Sequence, residues 1–193
     1  MDLECKAIIE CLPGDTLKWE LDHQSKVVVP DSIDGQLRIL KSGFPTYYGF
    51  IESFKSQDGD FLDCFIFSDI KKYRQDTSSW KVLALIKVLD EGEEDCKLIL
   101  ANRPVSDDEI LDIVGFLTTY SDDEVHVQSF LRVNDIAHAI NEIEVFRKSK
   151  SRGSHIYIGH AYGTPRVHDR NMDSVVYKVQ QINWNNEFFL LGD

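Results

Sequence analysis

Two acidic clusters carry most of the side chains in this chain that could perform chemistry. Residues 58–63 read Asp-Gly-Asp-Phe-Leu-Asp, and residues 90–97 read Asp-Glu-Gly-Glu-Glu-Asp-Cys-Lys. Carboxylates held close together repel one another, so such clusters persist mainly where bound cations neutralise them. Carboxylate oxygens are ligands that Mg²⁺ prefers. The pattern therefore favours a magnesium site built to hold a polyphosphate.

The spacing within each cluster supports this interpretation. In an extended strand, residues two apart project from the same face, so Asp58 and Asp60 can point together, as can Asp95 and Lys97. Each cluster alone also has an ordinary explanation: Asp-Gly is typical of a hairpin turn, and residues 90–95 would form a solvated hairpin loop. An EF-hand is disfavoured because Asp63 stands where that loop requires glycine. The presence of both clusters, closed by a lysine, favours the metal site.

The overall composition is that of an acidic globular protein. The chain has 193 residues, 42% hydrophobic and 28% charged, with a net charge of −12. The excess of acid argues against binding to nucleic acid or to an anionic membrane, because no basic surplus exists to displace counterions. An acidic protein that handles phosphate must recruit cations, so the charge balance also favours metal dependence.

The cysteines and the start of the chain indicate a reducing compartment. The four cysteines lack CxxC spacing and predict reduced thiols instead of a disulfide framework or a zinc site. Asp2 and Glu4 stand where a signal peptide would carry lysine and an apolar run. No apolar run approaches the length of a membrane span. We therefore expect a cytoplasmic protein.

The first hundred residues have the pattern of a β-rich domain. Leu17, Trp19 and Leu21 alternate with charged residues, which is typical of a half-buried strand. Further apolar or β-branched runs, separated by Gly, Pro and Asp, predict short strands of a small barrel. These predicted strands cover residues 7–10, 17–22, 27–29, 47–54, 64–67, 80–88 and 97–100.

Helical periodicity begins later in the chain. Ser106 and Glu109 fit a capping box, and an apolar stripe follows up to Tyr120. A second helix is predicted over residues 134–146. A basic, polar stretch near residue 150 suggests a boundary between a domain at 1–150 and a C-terminal segment at 151–193, with strand-like runs at 155–158, 174–182 and 188–191. The histidines of this segment lack the helical spacing of metal ligands.

Taken in order, these motifs resemble the family I soluble inorganic pyrophosphatases. The resemblance spans about residues 5–147, and its most specific parts are the D-G-D-x-x-D cluster and the D-E-x-x-x-D-x-K block. It also includes Glu10, the Lys18–Asp22 segment and the run Phe-Pro-Thr-Tyr-Tyr-Gly-Phe at residues 44–50.

The resemblance implies a fold, an activity and partners. The expected fold is mainly β with flanking helices (α+β): a five-stranded OB-like barrel, two principal α-helices and an additional C-terminal segment. The expected activity is hydrolysis of pyrophosphate to two phosphates by several Mg²⁺ ions, for which Mn²⁺ or Zn²⁺ could substitute. The family also implies a homo-oligomer, a dimer or a hexamer.

The resemblance also assigns roles to individual residues. Asp58, Asp63 and Asp95 would bind the first metal, and Asp63 would share the second. Asp90 and Asp95 would receive the metal that arrives with substrate, and Asp60 would take the proton from the attacking water. The residues expected to serve metals directly or through water are Glu10, Glu20 and Glu91. Those expected to contact phosphate oxygens are Lys18, Tyr48, Lys97 and Tyr120.

Two positions depart from the family pattern. The family has an Asp-Arg pair where this chain has Asp31-Ser32, and a lysine where it has Ser121. The stretch before Tyr48 is also longer than usual, so Arg38 or Lys41 could fold back and supply the missing charge. The alternative hypothesis is a catalytically impaired homologue that binds metal and phosphate. Nucleotide hydrolysis is disfavoured because no P-loop or Gly-rich dinucleotide motif occurs.

Overall fold

The computed structural model describes residues 4–55, 61–90, 93–120, 125–132, 156–158 and 166–168. The elements in chain order are β1 (Glu4–Cys11), β2 (Trp19–Asp22), β3 (Val27–Pro30), β4 (Ser32–Ile33), β5 (Gln36–Leu37), β6 (Tyr47–Lys55), β7 (Phe61–Phe67), β8 (Thr77–Asp90), β9 (Glu93–Glu94), β10 (Lys97–Ala101), α1 (Asp107–Leu117), β11 (Val125–Arg132), β12 (Ile156–Ile158) and β13 (Arg166–His168). Within these ranges, no helix combines the length and the apolar character that a membrane crossing requires.

Five strands close into a barrel, which confirms the predicted architecture. The order is β1, β6, β7, β10 and β8, and β8 pairs back to β1. The pair of β7 and β10 is parallel, and the other neighbours are antiparallel. The long strand β8 also carries β9 and β11. Closure leaves the barrel strands with no free edge, so the backbone of the wall is held by ladders on both sides.

Buried side chains form two apolar layers on opposite faces of the barrel wall. The inner layer includes Leu62, Cys64 and Ile66. The outer layer includes Phe65 and Phe67 together with the buried face of α1. Because alternate residues of a strand point to opposite faces, both faces of β7 are buried. This explains why residues 64–67 read as a continuous apolar run instead of an alternating one.

The capping box at the start of α1 is confirmed. Ser106 Oγ accepts the backbone N–H of Glu109, and the Glu109 carboxylate accepts the backbone N–H of Ser106. The helix was expected to reach Tyr120 but ends at Leu117. After it the chain forms a turn, in which Thr119 N donates to Phe116 O and the Thr119 hydroxyl, instead of its N–H, donates to Gly115 O. The second predicted helix, over residues 134–146, lies outside the described residues.

Two small hairpins lie off the barrel. β2 pairs with β3, and β4 pairs with β5. The predicted strand over 17–22 begins only at Trp19, because Leu17 instead makes a single bridge to Ile39. The β4–β5 hairpin was not predicted.

The rest of the sequence interpretation is tested only in part. All four cysteines are free and buried, as expected of reduced thiols. Of the C-terminal segment, β12 and β13 are described and pair antiparallel; the predicted strands over 174–182 and 188–191 lie outside the described residues. The proposed domain boundary at residue 150 remains a prediction.

Candidate active site

A cavity of about 130 Å³ opens where the outer face of the barrel meets the end of α1. Its floor is apolar and consists of Leu40, Phe44, Phe116 and Leu117. The polar side chains around it come from the barrel and the loop before β10, from the hairpin region and from the turn after α1: Tyr48, Asp63, Asp95, Lys97, Lys18, Arg38 and Tyr120. Three cations and two carboxylates therefore share one small cavity.

Lys97 is the centre of the barrel side of this cavity. Its Nζ donates to Asp63 Oδ2 at 2.5 Å and to Asp95 Oδ1, and its side chain is only 6% exposed. The hydroxyl of Tyr48 donates to the same Asp63 oxygen. The contact between Asp95 and Lys97 is the one that their spacing predicts. A single ammonium thus holds two carboxylates that would otherwise repel.

The electrostatics of this cluster follow from burial and pairing. Burial alone would lower the pKa of Lys97, but the charges and hydrogen bonds of Asp63 and Asp95 outweigh it and raise that pKa above its ordinary value. Burial would raise the pKa of Asp63, yet Lys97 and the Tyr48 hydroxyl hold it below its ordinary value. Burial and the neighbouring carboxylates raise the pKa of Tyr48. The tyrosine therefore stays a neutral donor.

Ring contacts and a close approach of two strands fix Tyr48 in this position. Its ring lies against Phe44 and Phe65, at centroid distances of 4.9 and 5.1 Å. The next residue, Gly49, sits where β1 and β6 approach closely. A Cβ placed on Gly49 would lie 1.8 Å from Ile8 O, so no other residue fits without moving β1. The Tyr-Gly step of the motif therefore reflects packing as well as chemistry.

Glu10 is a buried acid at the end of β1. It is 6% exposed, and its Oε1 accepts the backbone N–H of Leu21 at 2.7 Å. Burial raises its pKa to about 8, and the charges of Asp63 and Glu20 act in the same direction. The charge of Lys18 lowers this pKa only in part, so without a bound metal ion Glu10 retains its proton near neutral pH.

Lys18 and Arg38 form the hairpin side of the cavity. Main-chain bonds join their segments, since Lys18 N donates to Arg38 O at 3.0 Å. Asp31 lies between them, with its Oδ2 at 3.7 Å from both Lys18 Nζ and Arg38 Nη1. Lys18 also donates to Glu20, which is half exposed. Two cations thus converge on one acid.

The β4–β5 hairpin explains how Arg38 reaches this place. Asp34 and Gly35 form its turn with φ of 52° and 79°, the positive values that a tight two-residue hairpin turn needs. Because the hairpin folds back on itself, Arg38 N donates to Asp31 O at 3.0 Å. Asp31 and Arg38 are therefore neighbours in space although Ser32–Leu37 separates them in sequence. The Asp-Gly pair was the signal that could have revealed this hairpin.

The structure brings together most, but not all, of the predicted residues. Those in or beside the cavity are Glu10, Lys18, Glu20, Arg38, Tyr48, Asp63, Asp95, Lys97 and Tyr120. Asp58, Asp60 and Glu91 lie outside the described residues. Asp90 is described only through its backbone, which pairs with Glu93 in the hairpin of β8 and β9.

The described carboxylates fit a divalent cation in the chemistry of their donors. Carboxylate oxygens suit hard cations such as Mg²⁺, and Asp63 and Asp95 already flank one cation, the Lys97 ammonium. Over the described part of the chain, no group of three or more His, Cys, Asp or Glu side chains is placed to hold a metal.

Several known proteins share this fold. The solved structure of the inorganic pyrophosphatase from Helicobacter pylori superposes with a TM-score of 0.60 over 78% of this chain and 95% of that one, at 22% identity. The structure from Neisseria gonorrhoeae gives a TM-score of 0.60 over 77% and 90%, at 21% identity. At these identities the likeness establishes the barrel fold.

The sequence supplies the family. Curated inorganic pyrophosphatases from Mycoplasma genitalium and Haloferax volcanii are 31% and 33% identical over 97 and 106 residues. The matches cover 48% and 54% of this chain, and the chain spans about half of each relative, 48% and 55%. The sequence model of the inorganic pyrophosphatase family matches residues 7–150 of this chain. Since that match covers most of the chain, this protein belongs to the inorganic pyrophosphatase family.

Proposed function

We propose that this protein hydrolyses inorganic pyrophosphate to two phosphates with the help of Mg²⁺. The observation that carries the proposal is the meeting of Lys18, Arg38 and Lys97 with Asp63 and Asp95 in one cavity. Cations alone would suit a simple anion site, and carboxylates alone would suit a cation site. A site with both suits a polyanion that arrives with metal ions.

The cationic and hydroxyl groups would grip the substrate. Lys18 and Arg38 face the cavity from the hairpin side, where their charges can contact phosphate oxygens. The arginine guanidinium can do so with two parallel hydrogen bonds, whereas a lysine acts as a point charge. Tyr48 and Tyr120 would add neutral hydroxyls that donate without competing for the metal, and Tyr48 would then turn its hydroxyl from Asp63 to a phosphate oxygen. Arg38 would thus supply the charge that Ser32 lacks.

The acidic groups would handle the metal and the water. Bound Mg²⁺ would neutralise the charge of pyrophosphate and lower the pKa of a bound water. Asp63 and Asp95 would supply carboxylate oxygens, with Asp58, Asp90 and Glu91 as further ligands. In the family assignment Asp60 accepts the proton of the attacking water.

The direct test is phosphate release from pyrophosphate, with Mg²⁺ or with EDTA. We expect release only with the metal, and little release from ATP at equal concentration. Asp95→Asn should abolish most of the activity, while the exposed Lys6→Met should leave it intact. Folded protein that releases no phosphate at millimolar Mg²⁺ would refute the proposal.

A non-catalytic homologue that binds metal and phosphate is the second candidate. The observation that favours it is the loss of two family cations, at Ser32 and Ser121. The position of Arg38 beside Asp31 weakens the first half of that argument. Calorimetric binding of Mg²⁺ and phosphate without hydrolysis would support this candidate.

The remaining expectations concern assembly and location. We propose a homo-oligomer, a dimer or a hexamer, that acts in the cytoplasm on free pyrophosphate and binds neither nucleic acid nor membranes. Sedimentation at several protein concentrations would measure the oligomeric state. Comparing the full chain with a version ending at residue 150 would show what residues 151–193 contribute.

A further inference from the structure

The β2–β3 hairpin carries part of the candidate site, but over the described residues it shares no ladder with the barrel. It forms a two-stranded sheet of its own. Lys18 directly precedes β2, and Glu20 lies within it. An isolated two-stranded hairpin is at best marginally stable in water. The placement of Lys18 and Glu20 therefore depends on contacts that dock this hairpin.

Some of these contacts come from β1 itself. Glu10 accepts the N–H of Leu21, and the thiol of Cys11 lies 3.5 Å from Trp19 O and 3.4 Å from Trp19 N. These contacts involve the backbone of β2.

The turn at residues 73–76 is also anchored to the barrel. Gln75 N donates to Ile9 O at 2.8 Å, and Ile9 N donates to Asp76 O at 3.1 Å. Tyr73 N donates to the Asp76 carboxylate at 2.8 Å, which closes the turn on itself. The turn thus sits one residue from Glu10 along β1.

Two side chains of this turn reach the hairpin. The guanidinium carbon of Arg74 lies 4.0 Å from the centre of the Trp19 ring, and its Nη2 donates to Asp15 Oδ2 at 2.7 Å. Gln75 donates to Lys26 O at 2.9 Å, just before β3. The turn therefore contacts β2 and the residue that precedes β3.

The arginine contact has the form of a clamp. Asp15 is itself fixed, because its Oδ2 also accepts the N–H of Leu12 at 2.6 Å. Arg74 thus joins three segments: its own turn, the β1–β2 connection and the Trp19 ring. The buried Nε of Arg74 has no hydrogen-bond partner in the described part of the chain. An unpaired donor has a cost, so the stacked position is maintained by the ring and by Asp15.

Trp19 stands between the two residues that the site uses. Trp19 and Glu20 are neighbours in β2, so their side chains point to opposite faces, and Lys18 donates to Glu20. A ring held by Arg74 on one face therefore helps to place Glu20 and Lys18 on the other. We propose that Arg74 is a positioning residue, which clamps Trp19 and so sets the places of Lys18 and Glu20 at the cavity. The inference rests on the proposed hydrolysis of pyrophosphate, but its physical part can be measured without it.

The test compares Arg74→Met with Arg103→Met. Arg103 is a matched control, because it also lies over an aromatic ring, that of Phe67 at 5.2 Å, and pairs with acids, Asp69 and Glu109, and none of these three partners belongs to the β2–β3 hairpin. We expect Arg74→Met to lower kcat by about 10- to 100-fold, the range associated with small misplacements of catalytic groups. Arg103→Met should stay within about twofold.

Hydrogen exchange separates this inference from the proposed activity. In metal-free protein, the Leu21 amide should exchange faster in Arg74→Met than in the wild type, and Arg103→Met should leave it unchanged. If Arg74→Met does not fold, Arg74→Lys replaces it, because a lysine keeps the ion pair to Asp15 and loses only the planar stack. The exchange rate of the Leu21 amide should also rise in Arg74→Lys. Unchanged exchange at Leu21 together with unchanged kcat would overturn the clamp; a wild type without activity would refute only the proposed function.

Discussion

The two sides of the cavity are built in different ways. On the barrel side, Tyr48, Asp63 and Lys97 extend from strands that are bonded on both edges, and the contact from Lys97 to Asp63 is 2.5 Å. On the hairpin side, Lys18 and Arg38 approach Asp31 at 3.7 Å from segments outside the barrel. Ladders and burial give the first side its precision. We expect the segments of the second side to open locally at a lower free energy, because they make fewer buried contacts.

The largest effect should come from the barrel side. Lys97→Met leaves the carboxylates of Asp63 and Asp95 facing each other without their cation. Removing one partner of a buried ion pair costs about 3–5 kcal/mol, so the free energy of unfolding should fall by that order in EDTA. Urea denaturation measures it, with the exposed Lys6→Met as control. Added Mg²⁺ should restore part of the loss, and an unchanged midpoint in EDTA would contradict this account of the cluster.

On the hairpin side, the loss should appear in the kinetics instead of in the stability. Arg38→Met removes a charge from the cavity, which should cost about 2–4 kcal/mol of transition-state stabilisation. The Arg38 side chain is partly exposed, so the free energy of unfolding should change by only about 0.5 kcal/mol. Initial rates of phosphate release and urea denaturation measure the two quantities. A large loss of stability would show that the two sides are not built differently.

A deletion provides the control for Arg38. Removing Ser32–Leu37 joins Asp31 directly to Arg38, which recreates the Asp-Arg pair of the family. Because Arg38 N already bonds to Asp31 O, the deletion should keep most of the activity. The same deletion combined with Arg38→Met should lose it. Equal activity of the two deletion variants would show that Arg38 has no role in the reaction.

Glu10, which joins β1 to the hairpin, should make the stability of the fold depend on pH. The pKa of Glu10 rises from 4.5 to about 8 on folding, mainly through burial. Below pH 4.5 both states hold the proton; between 4.5 and 8 only the unfolded state is ionised, so stability falls as pH rises. The slope is about 1.4 kcal/mol per pH unit. Glu10→Gln can still accept the N–H of Leu21 and should remove this dependence in metal-free protein.

Glu109→Gln is the matched control for that experiment. Its pKa is lowered to about 2 by the Arg103 hydrogen bond, so its contribution is present above pH 4.5 and is lost as pH falls through 2. The variant should therefore be less stable than the wild type at neutral pH and equal to it in strong acid. Parallel pH profiles for the two glutamate variants would contradict the assignment of Glu10 as a buried acid.

The smallest effect should come from the helix that supports the cavity floor. Ser106→Ala removes the side-chain half of the capping box, which should cost about 1 kcal/mol. Thermal or urea denaturation measures this loss. The kcat should not change, because Phe116 and Leu117 stay packed on the barrel. A fall in kcat at constant stability would assign the helix start a role in the site.

The features that could be predicted from the sequence are those with local signals. The capping box at Ser106 and the strand runs of the barrel depend on nearby residues, and the contact of Asp95 with Lys97 depends on a spacing of two. The end of α1 was placed too late, because the Thr119 hydroxyl occupies Gly115 O, the carbonyl that a continuing helix would offer to the Thr119 N–H.

What could not be predicted depends on contacts distant in sequence. The burial of Glu10 follows from its bond to Leu21, and the role proposed for Arg74 follows from its contacts with Asp15 and Trp19. No local sequence pattern predicts either the burial of Glu10 or the contacts of Arg74. The position of Arg38 had a local signal in Asp34-Gly35, but only the folded hairpin shows that the arginine returns to Asp31.

The four buried cysteines allow unfolding to be followed by thiol modification, because unfolding exposes them. Cys64 is fully buried, and burial raises the pKa of Cys5 and of Cys11 to about 12. Since the thiolate is the reactive form, a thiol reagent should scarcely modify the folded chain at neutral pH. Cys5 and Cys64 face the barrel interior, whereas Cys11 lies beside Trp19. The order in which these sites are alkylated would therefore show whether the hairpin detaches before the barrel opens.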